Sequence, residues 1–270
     1  VLNQEYPNLD YILVDGGSED NSSKIIKKYK SNFAYTISEP DNGQVDAINK
    51  GFKQATGDIL MWLNSDDVLL NGSLDSIAKK YNSCKSKENF VALGRRVYLD
   101  DKSVVTGHLS FSLFMGDFNS IAWGISRGPH QEASCWSREI WNRNGPLDQK
   151  FNYAFDLDFF LKILKCKPNI HIIPDFIGAW RLWELNKCTV EPSKAADEVK
   201  IVKNIHKNFN SIYKNRHIKK LFRKTVKTSQ TSWAYLDGLP LIGKNIYSES
   251  KIIQKNIPLF WEKILSLFIS

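Results

Sequence analysis

Three short apolar runs, each ending at an acid and each separated from the next by a helix-length polar stretch, restrict this chain more than any other feature. Residues 9–15 (LDYILVD) end at Asp15, residues 33–38 lead into Glu39, and residues 58–63 lead into Asn64-Ser65-Asp66-Asp67. Between them, residues 22–30 and 44–55 space their apolar side chains at helical intervals, the second with Ala47, Ile48, Gly51 and Phe52 on one face. Ser18-Glu19-Asp20-Asn21 offers capping oxygens to the first helix, and Gly57 stops the second. Strands without polar alternation are buried on both faces, so this alternation reads as a parallel sheet covered by helices. Ligands of such sheets sit beyond the carboxyl ends of the strands. Here those ends carry Asp15, Glu39 and Asp66.

Further along, residues 74–82 read as a helix and 89–99 as a strand, while 103–128 have no clear period and read as a loop or insertion. Residues 137–143 and 155–165 read as helices, the latter with Asp156 and Asp158 in its first turn; 170–180 read as a late strand. From Pro192 to residue 228 the pattern is helical, and 257–270 are amphipathic. An apolar fraction of 42% with 12% aromatics excludes bulk disorder. No apolar run approaches the ~18–20 residues of a spanning helix. Four cysteines without a C-x-x-C pair argue against a disulfide framework or zinc site, and for reduced thiols in a cytosolic protein.

The net charge of +8 invites a nucleic-acid partner until it is located. Residues 194–227 hold eleven Lys/Arg against two acids, Asp197 and Glu198, and so carry +9; residues from 228 onward carry +1, leaving −2 for the first 193. A slightly acidic body with a basic tail is not a nucleic-acid binder, and none is expected as a partner. The tail is either a solvated helical face or a surface attracted to an anionic membrane, since Lys203, Lys207, Lys214, Arg216, Lys219 and Lys220 interleave with Ile205, Phe209, Ile212 and Leu221.

Two segments carry the chemistry, each with two alternatives. Carboxylates at Asp66-Asp67, directly after an apolar strand, suit a hard divalent cation that also holds phosphate oxygens; equally, an acidic turn can be solvated and cap the next helix with Asp67. In Asp15-Gly16-Gly17-Ser18-Glu19-Asp20, the strand-end carboxylate can accept from ring N–H or hydroxyl donors while small residues let a flat ring or sugar approach the backbone. Alternatively it is a tight, capped strand-to-helix turn. With neither G-x-G-x-x-G nor G-K-[ST], it is not a phosphate-cradling glycine loop. Asp156 and Asp158 favour a helix N-terminus whatever else they do, and His130 is an isolated histidine.

Five blocks, taken in order, resemble bacterial family-2 glycosyltransferases. They are Val1-Leu2-Asn3-Gln4 with Tyr6-Pro7-Asn8 and residues 11–20; Ser38-Glu39-Pro40-Asp41-Asn42-Gly43-Gln44 with Asp46-Ala47-Ile48-Asn49-Lys50-Gly51 and Ala55-Thr56-Gly57-Asp58; residues 63–67; Gln131 with Trp136-Ser137-Arg138-Glu139 and Gly145-Pro146-Leu147-Asp148; and Asp156-Leu157-Asp158. The resemblance runs from residue 1 to about 190. It implies an α/β, Rossmann-like GT-A fold over residues 1–190, a mixed sheet flanked by helices, followed by a basic, mostly helical extension over 191–270. It implies an inverting transfer of sugar from a nucleoside-diphosphate sugar donor to a glycan or lipid-linked acceptor in cell-surface polysaccharide synthesis, in the cytoplasm at the inner face of the membrane. Carried over residue by residue, Asp15 would hold the nucleotide base, Asn64 would sit near the ribose, and Asp66 would ligate Mg2+ or Mn2+ bridging the diphosphate. Asp156 stands where the family has its base, with Asp158 in support; Gly17, Glu39, Gln44, Asp46, His130 and Gln131 join the substrate-binding set.

Two departures from the family pattern stand out. Many relatives close the site with an Arg-x-His segment, whereas this chain reads Trp180-Arg181-Leu182-Trp183, followed by Asn186-Lys187-Cys188-Thr189. Trp183 is no metal ligand, so either Arg181 and Lys187 neutralise the diphosphate or closure differs. The family also begins with a strand and helix before the point where Val1 stands, the strand lying between those at 9–15 and 58–63. The sequence is therefore expected to be an N-terminally truncated part of a longer protein, with a gap in its sheet. The rival expectation is a catalytically impaired nucleotide- or glycan-binding module on the same fold; an Asp-centred flavodoxin-like signalling domain would leave the acceptor-half blocks unexplained.

Overall fold

In the computed structural model the structure describes residues 1–109, 118–123, 128–207, 215–217 and 239–240. The first two apolar runs pair in parallel, β1 (Ile12–Asp15) with β2 (Tyr35–Ser38), so that Asp15 lies opposite Ser38. The crossover is α1 (Ser22–Tyr29). Next, α2 (Gln44–Gln54) leads into β3 (Ile59–Leu60), and the acidic turn is followed by β4 (Val68–Leu69) and α3 (Ser73–Ser83).

The remaining strands form a mixed sheet around β5 (Phe90–Leu99), a ten-residue run buried almost throughout. It is flanked by β6 (Val104–Leu109) and β7 (Ser134–Ser137), both antiparallel, and by β8 (Asn169–Arg181), parallel. β3 joins β7 and β4 joins β8, both antiparallel. The helices are α4 (Phe118–Ala122), α5 (Arg138–Asn144), α6 (Phe155–Lys165), α7 (Lys187–Val190) and α8 (Pro192–His206); β9 (Leu239–Pro240) pairs with β6. Among the described residues no helix is long and apolar enough to cross a membrane.

Several expectations change here. The all-parallel sheet holds only for β1–β2 and β5–β8; the whole is mixed, as the resemblance implied. The stretch 103–128 is not featureless, because Val104 and Val105 turn back at Asp100–Ser103 and pair with β5. Its alternation is too short to read before Gly107 interrupts it. Asp67 does not cap a helix: α3 is capped at Gly72, without a side-chain bond. Among the described residues β1 bonds only β2 and β3 bonds only β7, and the slot between them is lined by Ile12, Leu13, Val14, Ile59 and Met61. The residues 257–270 and most of the basic stretch beyond 207 lie outside the described residues.

The main core gathers side chains of α2, β5, β7, α6 and α8. Trp62 meets Trp136 edge to face at 5.3 Å and lies over Phe160, and Phe159 packs on Trp136 at 5.0 Å. Each large apolar side chain fully buried here contributes about 1.5–3 kcal/mol. Val202 of α8 is completely buried in the same cluster. One buried side chain ties the halves together: Asn49 on α2 donates to the Leu147 carbonyl at 3.0 Å and accepts from its N–H at 2.9 Å. The segment Trp62–Asn64 and helix α6 therefore rise from one packed base, which places strand-end acids and the first turn of α6 on facing walls.

Candidate active site

A cleft runs between those walls and is continuous with the slot between β1 and β3, the two together enclosing about 1900 Å3. Of the residues expected at a site, Asp15, Gln44, Asn64, Asp66, His130, Gln131 and Asp156 line it; Gly17, Glu39, Asp46, Asp158 and Arg181 do not.

On one wall, the buried Asp15 carboxylate accepts from the Ser18 hydroxyl, from the Ser38 hydroxyl at 2.7 Å and from the Ser18 N–H at 3.3 Å. These hydrogen bonds hold it below the usual carboxylate range. Gly17 makes the turn with φ of 85°, where a Cβ would also press on the Pro40 backbone nitrogen at 3.2 Å. Glu39 and Asp46 sit outside, paired with Lys50 at 2.9 and 3.4 Å.

Asn64 is the hub of the floor. It accepts from Gln44 at 2.8 Å and donates to Gln131 at 3.0 Å and to Asp67 at 3.1 Å, while Gln131 donates to the Trp62 carbonyl at 3.0 Å. Asp67 is buried and also accepts the Arg181 backbone N–H at 3.1 Å. Burial first, then the Glu132 and Asp66 charges, push it up to about 7. The Arg181 guanidinium is spent on structure, donating to the Asp66 carbonyl at 2.9 Å, the Asp100 carbonyl at 2.8 Å and the Ser103 hydroxyl at 2.9 Å. Asp66 turns its side chain to the cleft, where Oδ2 accepts the Trp183 indole N–H at 3.2 Å.

The other wall carries Asp156 in the first turn of α6. Its Oδ1 accepts the Leu157 N–H at 2.7 Å, and desolvation, with the Glu132 charge adding, pushes it up to about 6. Asp158 faces inward instead. Its Oδ1 meets His206 Nε2 at 2.8 Å and its Oδ2 lies 2.7 Å from the Lys162 ammonium. Burial alone would raise its carboxyl, but these two partners hold it below the ordinary value.

Three features of the site were not foreseen. Arg96 and Glu132 form a buried ion pair at 2.8 Å in the cleft wall, the guanidinium lying between the rings of Tyr98 and Trp180 at 4.8 and 4.7 Å. Two arginines inside the apolar run of β5 were the available signal. Glu132 approaches because Gly178 has no side chain: a Cβ there would lie 2.0 Å from the Glu132 carbonyl oxygen. The third is Glu198 of α8, whose carboxylate collects backbone N–H groups just before Asp156. No local pattern marks it.

The family model for glycosyl transferase family 2 matches residues 1–136, half of the chain. The chain belongs to glycosyltransferase family 2. Among family members, a glycosyltransferase of Mycobacterium tuberculosis is 32% identical over 164 residues, 59% of each protein. The poly-beta-1,6-N-acetyl-D-glucosamine synthase of Staphylococcus epidermidis is 38% identical over 71 residues, 26% of this chain and 17% of the synthase. This family-2 chain thus spans less than two thirds of the length of these relatives. Among solved structures, Staphylococcus aureus TarS 1–349 in complex with UDP superposes with a TM-score of 0.56 at 16% identity, covering 93% of this chain and 71% of that one. The shared architecture is the GT-A fold.

Members of this family commonly use a divalent cation. Among the described residues no group of three or more His, Cys, Asp or Glu side chains could hold a metal by itself. One half-buried carboxylate facing the cleft does fit Mg2+ or Mn2+, which accept one or two protein carboxylates and take their other ligands from phosphate and water. The Trp183 N–H occupies one of the two oxygens such an ion would use.

Proposed function

We propose that this chain is the catalytic part of an inverting glycosyltransferase. It would move a sugar, of hexosyl type, from a nucleoside-diphosphate sugar to a glycan or lipid-linked acceptor in cell-surface polysaccharide synthesis. The observation that carries the proposal is the pair of facing walls: Asp15 and Asp66 on one, and on the other a half-buried Asp156 pushed up to about 6. Such a carboxylate is mostly ionised at neutral pH yet more basic than an ordinary one, as a general base requires. The acceptor hydroxyl oxygen attacks the anomeric carbon from the Asp156 side. Its proton passes to Asp156, the bond to the diphosphate oxygen breaks on the opposite face, and the anomeric configuration inverts. Asp15 would orient the base of the nucleotide, and Asn64, fixed by Gln44 and Gln131, the ribose. A divalent cation held by Asp66 would neutralise the departing diphosphate.

Work at the cytoplasmic face of a membrane is supported by α8, which exposes Ile201 and Ile205 beside Lys200. The test is Mn2+-dependent sugar transfer or hydrolysis across UDP-, GDP- and dTDP-sugars. Asp66→Ala and Asp156→Ala should each abolish it, and full activity in either variant removes that role. The Trp183–Asp66 hydrogen bond favours a second possibility, a module that binds nucleotide without turning it over. Metal-dependent nucleotide binding by calorimetry, with no turnover on any donor, would select it.

A further inference from the structure

We propose that Glu198 is a positioning residue for Asp156: from α8 it gathers three successive backbone N–H groups and so sets how the first turn of α6 presents the base to the cleft. This rests on the assignment of Asp156 as base. The segment between Phe151 and Phe155 is anchored in the core at both ends, since both rings are buried. The peptide planes between those anchors are oriented by one carboxylate. Glu198 accepts the N–H of Asn152 at 2.9 Å, of Tyr153 at 2.7 Å and of Ala154 at 3.0 Å. Ala154 is the N-cap of α6, and no side chain from its own neighbourhood caps that helix. Free N–H groups at a helix start need an acceptor, and an ionised one both satisfies them and suits the positive helix end.

The acceptor comes from 44–46 residues away and is itself held firmly. Four and eight residues beyond Glu198 on α8, Val202 is buried in the core and His206 bonds Asp158 at 2.8 Å. The segment is gripped from the same side by Lys187, which donates to the Asn152 carbonyl at 2.6 Å, and by Glu191, which accepts the Tyr153 hydroxyl. Asp156 follows the N-cap by two residues, so rotation of the 152–154 planes swings its carboxyl toward or away from water.

The test uses the full 270-residue chain and needs no donor. Amide exchange at 152–154 and the carboxyl titration of 13C-aspartate-labelled Asp156 are followed in wild type, Glu198→Ala and Glu198→Gln. In Glu198→Ala, protection at the three amides should fall by about tenfold or more while that of β5 is kept, and the Asp156 midpoint should drop from about 6 toward the ordinary carboxylate range. Glu198→Gln, which keeps an acceptor oxygen but no charge, should retain most of the protection and most of the midpoint. Equal midpoint drops in both variants would mean that only charge was removed, and an unmoved midpoint in Glu198→Ala with a merely less stable fold would mean a structural role; either overturns the proposal. Full activity of Asp156→Ala would instead refute the base assignment, leaving these two readouts unchanged.

Discussion

Replacing Asp156 by asparagine should make the chain more stable as well as inactive. The carboxyl is raised from 3.8 to about 6 in the folded state, chiefly by desolvation. Between about pH 4 and pH 6 the folded chain therefore keeps a proton that the unfolded chain has lost. Stability falls as pH rises through that window and levels off above it. A gap of about two pKa units corresponds to a ceiling of about 3 kcal/mol, which solvent reaching the cleft wall reduces to about 1–2 kcal/mol. Asparagine removes this cost while its side-chain oxygen can still accept the Leu157 N–H, now 2.7 Å from Asp156. Urea unfolding at pH 7.5 should show Asp156→Asn more stable by about 1–2 kcal/mol. The gain should shrink to about zero by pH 4, where the wild-type carboxyl is protonated in the folded state. No gain at pH 7.5, or an equal gain at pH 4, would refute the claim that Asp156 is desolvated and strained by its own charge. A stabilised, inactive variant is the trade expected where a fold keeps an uncomfortable group for chemistry.

Three other outcomes follow from named contacts. Trp183→Phe removes only the indole N–H from Asp66, so calorimetry should show Mn2+-dependent UDP affinity rising by roughly two- to tenfold; unchanged or weaker binding would mean that the indole does not compete for that oxygen. His206→Ala leaves the buried Asp158 with Lys162 alone and should cost about 3 kcal/mol at pH 7. Because Asp158 titrates below its ordinary value when folded, the stability it contributes is present above about pH 4 and is lost as pH falls through the lower folded value, so the deficit should narrow in acid denaturation. Gly178→Ala drives a methyl into the Glu132 carbonyl and should cost about 1–3 kcal/mol or more, seen as a melting temperature lower by several degrees.

The Asp15 wall was legible in the sequence because its logic is local. Asp15 is satisfied by Ser18 three residues on and by Ser38 in the neighbouring strand, and an apolar run ending in an acid announces the strand end. The Asp156 wall was less legible. Asp156 could be marked by resemblance, but what raises its carboxyl is burial together with Glu132, a residue brought near by the absence of a side chain at Gly178. The strand β7 is only four residues, two of them serines, and its burial comes from being laid between β3 and β5. Likewise Glu198 counted in the sequence only as one of two acids in a basic stretch. The groups that donate to it are backbone N–H groups, which leave no trace in a side-chain pattern. A boundary at residue 190 follows the end of the family resemblance and the basic composition beyond it, whereas Val202, Glu198 and His206 follow contacts, and all three reach back to the core or to α6.

Asp156 and Asp158 show how two like residues in one turn receive opposite chemistry. Two positions along a helix are separated by about 200° of rotation, so one faces the cleft while the other faces the protein. Asp158 is held low, with the His206 ring on one oxygen and the Lys162 ammonium at the other. A carboxylate so occupied has little tendency to take up a proton and no free oxygen to offer an acceptor hydroxyl. Asp156 has no Lys, Arg or His bonded to it among the described hydrogen bonds and ion pairs, only the Leu157 N–H, and its carboxyl is raised. The two roles also depend on each other mechanically. The His206 contact that occupies one oxygen of Asp158 fastens α8 to α6, and α8 in turn brings Glu198 to the N–H groups just before Asp156. If the base were Asp158 instead, activity would have to survive only where His206 and Lys162 had been pulled away, and His206→Ala would raise turnover; with Asp156 as base the same variant can only lower it.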